Sequence, residues 1–192
     1  MSLNTIHKTI WEYLEEGISN SKSGFHFPVV STIDKNGYPC SRTVVLRKID
    51  KKNKTISFNT DIRSNKWLEM KNNNKISVNI YDSNKKTQIR ILGKGILNYN
   101  NENWDNAWKS TPNMSRECYS TLYSPSTIIQ KPEDIDNNLK NIKDKEFEKF
   151  KVNFGRIDVH IHSLDWLYLI HTGHRRAQFI YDSKISMSWL AP

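Results

Sequence analysis

The chain has 192 residues, 36% of them hydrophobic and 11% aromatic, which suffices for one folded domain without disulfides or structural metal. With two cysteines, Cys40 and Cys118, a disulfide framework and a cysteine-based zinc cluster are both excluded. No apolar run approaches the roughly 18 residues of a membrane span, and the first residues lack the pattern of a signal peptide, so we expect a single cytoplasmic domain over residues 1–192.

The net charge of +9 is the strongest compositional signal. A basic chain of this kind suits an anionic partner, such as nucleic acid, an acidic membrane surface or a phosphorylated small molecule. Much of the excess lies in lysines of asparagine-rich stretches at residues 51–54 and 72–75, a composition typical of solvated loops. A basic nucleic-acid-binding β protein is therefore a disfavoured alternative, and no membrane partner is expected.

The first predicted element is an amphipathic helix over residues 2–18, followed by a linker that ends at residue 24. Its apolar residues recur at helical spacing, and Ser2 can cap its start. The periodicity then changes to that of β-strands over residues 27–34 and 38–49. Between these two runs, Asn36-Gly37 is a strong hairpin signal.

Most of the later elements are predicted strands, and they lie at residues 55–60, 75–81, 87–97, 154–163, 166–171, 177–181 and 186–190. Helices are predicted at residues 64–71, 101–110 and 138–151, and residues 98–153 form a helical and loop insertion without clean periodicity at 112–136. Short antiparallel strands at this spacing predict a mainly β fold, a small barrel or sandwich with peripheral helices. None of the 7 glycines falls in a GxGxxG or GxxxxGK pattern, which disfavours a Rossmann unit and a P-loop.

One apolar strand, at residues 41–47, carries an arginine near each end. Because strand side chains alternate, Arg42, Val44 and Leu46 would share one face, opposite to Arg47. An arginine beside a half-buried strand needs a partner, because burial of an unpaired charge is unfavourable. The partner is either an acidic side chain at the rim of the sheet or a bound anion.

A second polar stretch, at residues 58–66, runs from a strand into the start of a helix. A helix N-terminus presents free N–H groups and the positive end of the helix dipole, which suits a phosphate. Guanidinium, hydroxyl, amide and ammonium donors follow one another at this point, in Arg63, Ser64, Asn65 and Lys66. The alternative is that Asp61 or Ser64 caps the helix while the cations are solvated.

Gln88 lies near the start of a third stretch, the strand at residues 87–93, where a glutamine is either exposed or in contact with the polar edge of a planar ring. In this order the three stretches, with the C-terminal Trp189-Leu190-Ala191-Pro192, resemble the pyridoxamine 5'-phosphate oxidase-like, FMN-binding split-barrel proteins. The similarity runs from residue 25 to the C-terminus. The tail His174-Arg175-Arg176-Ala177 is typical of a divergent branch of that family.

The resemblance implies an antiparallel, six-stranded split β-barrel with peripheral helices, paired as a homodimer with FMN at the subunit interface. In this family, Arg42, Ser64 and Lys66 would hold the FMN phosphate, and Gln88 would contact the flavin ring. The cofactor-binding residues that the resemblance implies are Arg42, Thr43, Val44, Val45, Thr60, Arg63, Ser64, Asn65, Lys66 and Gln88.

Near the flavin ring, the resemblance implies that backbone groups of Val44 and Val45 face its polar edge. Arg47 stands where the oxidases usually carry a lysine close to flavin and substrate, and it keeps that positive charge. The substrate side departs from the oxidases. Ala107 and Thr111 stand where the family has the tyrosine and the arginine that grip the substrate phosphate.

Three candidate substrate-binding residues remain, Arg47, Ser115 and Arg175, while no catalytic residue is assigned and no metal is expected. The implied reaction is hydride transfer from a small substrate, phosphorylated or not, to FMN, followed by reoxidation by dioxygen. Because two contacts to the substrate phosphate are missing, each of about 1.5–3 kcal/mol, we expect weak oxidation of pyridoxamine 5'-phosphate. The alternatives are a flavin reductase and a split-barrel protein that binds the cofactor without oxidase activity.

Overall fold

The computed structural model describes residues 1–140 and 144–192, with side chains at 1–136 and 147–192. The strands are β1 (Val29–Ile33), β2 (Pro39–Thr43), β3 (Leu46–Asp50), β4 (Thr55–Asp61), β5 (Lys75–Asp82), β6 (Thr87–Asn98), β7 (Phe154–Tyr168), β8 (Arg175–Tyr181) and β9 (Ile185–Leu190). The α-helices are α1 (Leu3–Ser19), α2 (Asn65–Asn72), α3 (Glu102–Lys109), α4 (Asn113–Arg116) and α5 (Glu133–Lys140). None of the described helices is long and apolar enough to cross a bilayer.

The nine described strands form one antiparallel sheet rather than the six strands that the resemblance implies. The hydrogen-bonded order is β2-β1-β5-β6-β7-β4-β3, and β8 and β9 extend from β7. The two ends of this path, β2 and β3, are consecutive in the chain, so the sheet curls back on itself without closing by hydrogen bonds. This arrangement is a split barrel, as the sequence predicted.

The predicted strand over residues 38–49 is wrong in one respect, because it breaks at Val44 and Val45. Before the break β2 pairs with β1, whereas after it β3 pairs with β4. At the break, the Val44 amide donates to the Pro28 carbonyl oxygen at 2.9 Å. The hairpin before it is confirmed, since β1 and β2 meet at Gly37 with a φ of +87°, which glycine adopts without strain.

The two strands predicted at residues 154–163 and 166–171 are a single strand, β7, of 15 residues. Its first half pairs with β4, and its second half pairs with β8. Because both halves also pair with β6, the change of partner occurs on one edge only and does not break the strand. The barrel is therefore split beside β7, at the point where β4 and β8 diverge.

Helix α1 covers the opening that this split leaves, since it packs against both β3 and β9. Its buried face consists of Ile6, Ile10, Trp11 and Leu14, each at most 1% exposed. These are the residues whose helical spacing predicted the helix, which is therefore confirmed. The side chain of Ser2 accepts a hydrogen bond from the Thr5 amide, as expected of an N-cap.

The predicted helix at residues 138–151 is replaced by two shorter segments. Helix α5 ends at Lys140, and residues 144–153 form a 3₁₀ segment, whereas residues 141–143 lie outside the described part of the chain. Within that segment Phe147 is buried against Trp108 of α3 and Phe154 of β7. The insertion thus holds α3 against the barrel.

Helix α2 lies unusually close to the barrel because glycine faces it. A Cβ atom on Gly155 of β7 would lie 2.6 Å from the ring of Trp67 and 2.7 Å from the side chain of Ile62. Trp67 and Met70, on the inner face of α2, are both 3% exposed. This close packing fixes the start of α2 against the end of β4.

Candidate functional site

Three donor side chains meet where β4 ends and α2 begins, and we call Thr60, Ser64 and Lys66 the cradle. The Lys66 ammonium donates to the Thr60 hydroxyl oxygen at 2.7 Å and lies 3.4 Å from the Ser64 hydroxyl oxygen. The two hydroxyl oxygens are 3.2 Å apart. The local structure of residues 60–66 therefore brings together Ser64 and Lys66, two of the side chains that the sequence predicted for a phosphate, with Thr60, which was predicted among the cofactor-binding residues.

Ser64 stands at the N-cap position of α2, but its side chain makes no capping hydrogen bond. Instead its hydroxyl donates to the Asp61 carbonyl oxygen at 2.7 Å. The alternative in which the Ser64 side chain caps the helix is therefore wrong. The Trp67 and Leu68 amides donate to the Ser64 carbonyl oxygen at 3.0 and 3.3 Å, so Asn65 and Lys66 are the residues of the first turn whose N–H groups could bind an anion.

The electrostatics of the cradle also favour an anion. Burial lowers the pKa of the Lys66 ammonium, and the nearby Arg42 guanidinium lowers it further, while Asp61 and Glu69 oppose the shift. A lowered pKa means that the charged form of Lys66 is destabilised in this environment. A bound phosphate would place a negative charge beside Lys66 and so favour its charged form.

Arg42 has the acidic partner that was one of its two predicted alternatives. Its guanidinium pairs with the Glu69 carboxylate at 3.0 Å and also donates to the buried Thr32 hydroxyl. The Glu69 side chain is only 10% exposed, so the pair lies at the edge of the core and links α2 to β2. Arg42 is within electrostatic reach of Lys66 but is held by Glu69 in this structure.

The other two polar residues of this stretch point elsewhere. Arg63 pairs with the Asp61 carboxylate at 2.7 Å and donates to the Thr121 carbonyl oxygen at 3.1 Å, which ties it to the insertion. Asn65, in the first turn of α2, is exposed. Neither side chain hydrogen-bonds with the cradle.

Gln88 lies on the face of the sheet opposite to Arg42. Its amide donates to Asn79 at 2.7 Å, and Asn79 is in register with Val29, which is in register with Thr43. Paired residues share a face, and Arg42 is next to Thr43, so it points the other way. Gln88 and Arg42, whose guanidinium lies within electrostatic reach of Lys66, therefore point to opposite faces of the sheet.

The face that carries Gln88, which we call the outer face, consists of Thr43, Asn79, Tyr81, Gln88, Arg90 and Leu92 and their neighbours in register. It is not covered by any described helix, and Tyr81 and Leu92 on it are 48% and 55% exposed. Arg90 on this face pairs with Asp165 at 2.8 Å. A patch that mixes exposed apolar residues with ordered ion pairs is typical of a protein–protein contact.

A separate polar cavity of ≈ 480 Å³ lies between α3 and strands β3, β4 and β7. It is lined by Arg47, Lys48, Asp50, Asn53, Thr55, Ser57, Asn103, Asn106, Ala107, Ser110, Arg156, Asp158 and His160. A smaller cavity of ≈ 250 Å³ shares Arg47, Ser110 and Arg156 with it and is also lined by Thr111. Arg47 thus lines one cavity with Ala107 and the other with Thr111.

The other two candidate substrate residues lie outside these cavities. Ser115 is in α4. Arg175 is exposed, donates to the carbonyl oxygens of Gly173 and His174, and lines a different cavity, against α1. In one chain, therefore, neither residue reaches Arg47.

Sequence reasoning missed Arg156, which is 6% exposed at the start of β7. Its Nη1 donates to the Asn59 Oδ1 at 3.0 Å, and its Nε donates to an Asp158 carboxylate oxygen at 3.3 Å. The available signal was an arginine within an otherwise apolar strand start, Phe154-Gly155-Arg156-Ile157.

Comparison with known proteins identifies the region that holds the cradle. Residues 8–98 match the family model described as pyridoxamine 5'-phosphate oxidase, FMN-binding domain. A pyridoxine/pyridoxamine 5'-phosphate oxidase of Legionella pneumophila is 28% identical over 115 residues, 60% of this chain and 51% of that protein. The chain therefore spans about half the length of the curated relatives that it matches.

Solved structures show the same fold. A pyridoxamine 5'-phosphate oxidase-related, FMN-binding protein of Nostoc punctiforme PCC 73102 has a TM-score of 0.76 at 18% identity, over 100% of both chains. PhzG of Burkholderia lata 383, in complex with tetrahydrophenazine-1-carboxylic acid, has a TM-score of 0.74 at 17% identity, over 98% of this chain and 91% of that one. The predicted split-barrel fold is confirmed.

Proposed function

We propose, from the match of residues 8–98 to the FMN-binding domain of pyridoxamine 5'-phosphate oxidase, that the chain is an FMN-dependent oxidoreductase acting on a small molecule as a homodimer. The observation that carries the proposal is the cradle, a half-buried ammonium with a lowered pKa beside two hydroxyl groups and a helix N-terminus. Such a set of donors is complementary to a phosphate monoester.

The residues fit the phosphate of FMN in number and chemistry. Lys66 supplies a charge, Thr60 and Ser64 supply hydroxyl groups, and α2 supplies N–H groups at its first turn. Arg42 supplies a second charge once it releases or shares Glu69. Val45 lies between β2 and β3, where the strand break leaves backbone groups outside the ladder, whereas the Val44 amide is already bonded to Pro28.

When bound, FMN supplies a hydride acceptor for oxidation of a substrate C–H bond. Arg47 would contribute a positive charge that stabilises negative charge as it develops in the site. The insertion at residues 98–153, which includes α3, covers the cavity beside Arg47 and would limit the access of water to it. Arg63, tied to Asp61 and Thr121, would fix the insertion to the start of α2 rather than touch the cofactor.

The homodimer follows from the separation of Gln88 and the cradle. If both contact one FMN, as the resemblance implies, Gln88 must come from a second copy of the chain. Two-fold symmetry then gives two equal sites per dimer. The outer face, with exposed Tyr81 and Leu92, is the surface that we propose for the contact.

The substrate differs from that of the Legionella relatives in this proposal. Ala107 and Thr111 offer no charge where those enzymes' family grips the substrate phosphate, so pyridoxamine 5'-phosphate would be oxidised weakly or not at all. Loss of a charged partner weakens binding by about 1.5–3 kcal/mol per hydrogen bond. The electron acceptor in this proposal is dioxygen.

The test combines FMN titration with light scattering on the purified chain. We expect a yellow complex with one FMN per chain and the mass of a dimer. A monomer that binds FMN tightly would refute the shared site, and a protein that takes up no FMN would refute the proposal as a whole. Steady-state kinetics on the FMN-loaded protein test the substrate: a kcat/KM of about 10⁴ M⁻¹s⁻¹ or more with pyridoxamine 5'-phosphate would show that the missing contacts are replaced.

A further inference from the structure

The cavity beside α3 has an excess of positive charge. Three cationic side chains line it, Arg47, Lys48 and Arg156, against the two carboxylates of Asp50 and Asp158. Arg47 and Arg156 also line the smaller neighbouring cavity, so these two guanidinium groups mark the place where the cavities adjoin. An anionic group entering there would meet both.

Arg156 is held in place by groups that leave part of it unused. Its Nη1 and Nε are engaged by Asn59 and Asp158. Asp158 has a second partner, since its other carboxylate oxygen accepts from the Asn98 amide at 2.9 Å. Within the described part of the chain, the Nη2 of Arg156 makes no hydrogen bond. The buried guanidinium is thus oriented by the protein and has a donor left for a ligand.

Arg156 is also linked to the position where a family arginine is missing. The Asn59 amide donates to the Thr111 hydroxyl oxygen at 3.2 Å, and the Asn59 Oδ1 accepts from Arg156. The small Thr111 side chain leaves room beside Asn59, and the Thr111 hydroxyl is itself bound to the Ala107 carbonyl oxygen at 2.7 Å. A guanidinium from β7 therefore stands close to the wall where the resemblance expects one from the insertion.

We propose that Arg156, together with Arg47, binds the anionic group of the substrate, which is a phosphate monoester or a carboxylate on a small ring. This inference rests on the proposed function and names a specificity-determining residue for it. Arg156 would take over the anion contact from the absent groups at positions 107 and 111. Asn59 and Asp158 would be positioning residues, which hold the guanidinium without touching the substrate.

The electrostatic environment of Arg156 supports this role. Burial lowers the pKa of its guanidinium, and repulsion by Arg47 adds to the shift, while Asp158 opposes it. Two guanidinium groups that repel each other at the end of a cavity are stabilised by an anion placed between them.

The test is isothermal titration of the FMN-loaded protein with three ligands that share a ring: pyridoxine 5'-phosphate, 4-pyridoxate and uncharged pyridoxine. Arg156→Met should weaken binding of the anionic ligand by at least about tenfold, the effect of one charged hydrogen bond, and change pyridoxine binding by less than about twofold. Lys109→Gln is the matched control. It removes a cation of α3 that pairs with Asp105 and does not line the cavity, so it should leave all three affinities unchanged.

Asp158→Asn provides an independent arm in the opposite direction. The asparagine keeps an oxygen that can accept from Arg156 but removes the negative charge that competes with a ligand for the guanidinium, so both anions should bind more tightly than in the wild type. This arm decides the matter if circular dichroism shows that Arg156→Met does not fold. The phosphate and carboxylate arms also show which of the two anions the site prefers.

Several results would overturn the inference: equal affinity of the wild type for pyridoxine and both anions, unchanged anion binding in Arg156→Met, or anion binding in Asp158→Asn that is unchanged or weaker. FMN titration of the same variants keeps the two proposals apart. FMN binding reports on the cradle, so its absence from the wild type refutes the proposed function, whereas normal FMN binding with unaltered anion affinity in Arg156→Met refutes the role of Arg156 alone.

Discussion

Replacing Lys66 by methionine should separate cofactor binding from folding, because the two effects have opposite signs. The ammonium group is desolvated, its pKa is lowered by burial and by Arg42, and it lies 2.7 Å from the Thr60 hydroxyl. Without a bound anion, its charge therefore destabilises the folded state. Methionine keeps the aliphatic stem and removes only the charge, so the unliganded variant should unfold at the same temperature as the wild type or higher.

FMN binding should respond in the other direction. A hydrogen bond to a charged group contributes about 1.5–3 kcal/mol, which corresponds to a loss of about 10- to 150-fold in affinity. Riboflavin lacks the phosphate and therefore does not use the ammonium group, so its affinity should change by less than about threefold. Arg42→Ala is less informative, because it also leaves the Glu69 carboxylate, 10% exposed, without its partner.

The assay is fluorescence titration of the unliganded protein with FMN and with riboflavin, alongside thermal unfolding. Lys71→Met serves as the control, since it removes an exposed lysine from the last turn of the same helix and should alter neither quantity. Equal losses of FMN and riboflavin affinity, or a large drop in unfolding temperature of the unliganded Lys66→Met, would refute the assignment of the cradle to the phosphate.

Two further predictions concern the same region. Gly155→Ala should lower the free energy of unfolding by about 1–3 kcal/mol, the usual effect of overpacking, and weaken FMN binding, because the new Cβ would lie 2.6 Å from Trp67 and displace α2; unchanged urea unfolding would show that α2 can shift freely. FMN affinity should fall as the pH rises, because the lowered pKa of Lys66 rises when the phosphate binds, so that the complex holds more protons than the free protein. The measurement is made above pH 8, where a phosphate monoester with a second pKa of about 6 is fully ionised. The decrease of FMN affinity with pH should be absent in Lys66→Met, and a decrease that persists in this variant would assign the proton to another group.

Local sequence patterns determined much of the architecture. The helical spacing of Ile6, Ile10 and Leu14 determined α1, because one apolar stripe can be buried only in that conformation. Asn36-Gly37 determined the first hairpin, since its turn needs a positive φ. An anion site could be predicted from the donors within residues 60–66 because these residues are close in the sequence. Their proximity in space therefore does not depend on contacts with distant parts of the chain.

Other features depended on strand pairing, which no local pattern encodes. The break at Val44 and Val45 arises because β2 and β3 have different partners, at opposite ends of the sheet path. The continuity of β7 arises because β6 pairs with both of its halves, from Arg156 to Tyr168. In both places the pairing of strands decides where a strand ends, so periodicity alone assigned the wrong number of strands.

The sequence by itself thus determined α1, the first hairpin, the donors Ser64 and Lys66 and the family resemblance, whereas the tertiary structure decided which distant residues lie together. Gln88 and Arg42 lie in similar strand contexts, but the sheet register places them on opposite faces. Arg156 is one basic residue among many in the sequence, and only burial against Asn59 and Asp158 distinguishes it. The physical reason is that the face and the burial of a side chain are set by contacts between residues far apart in the chain. Asn59 and Arg156 form such a contact, and no local sequence pattern around either residue indicates it.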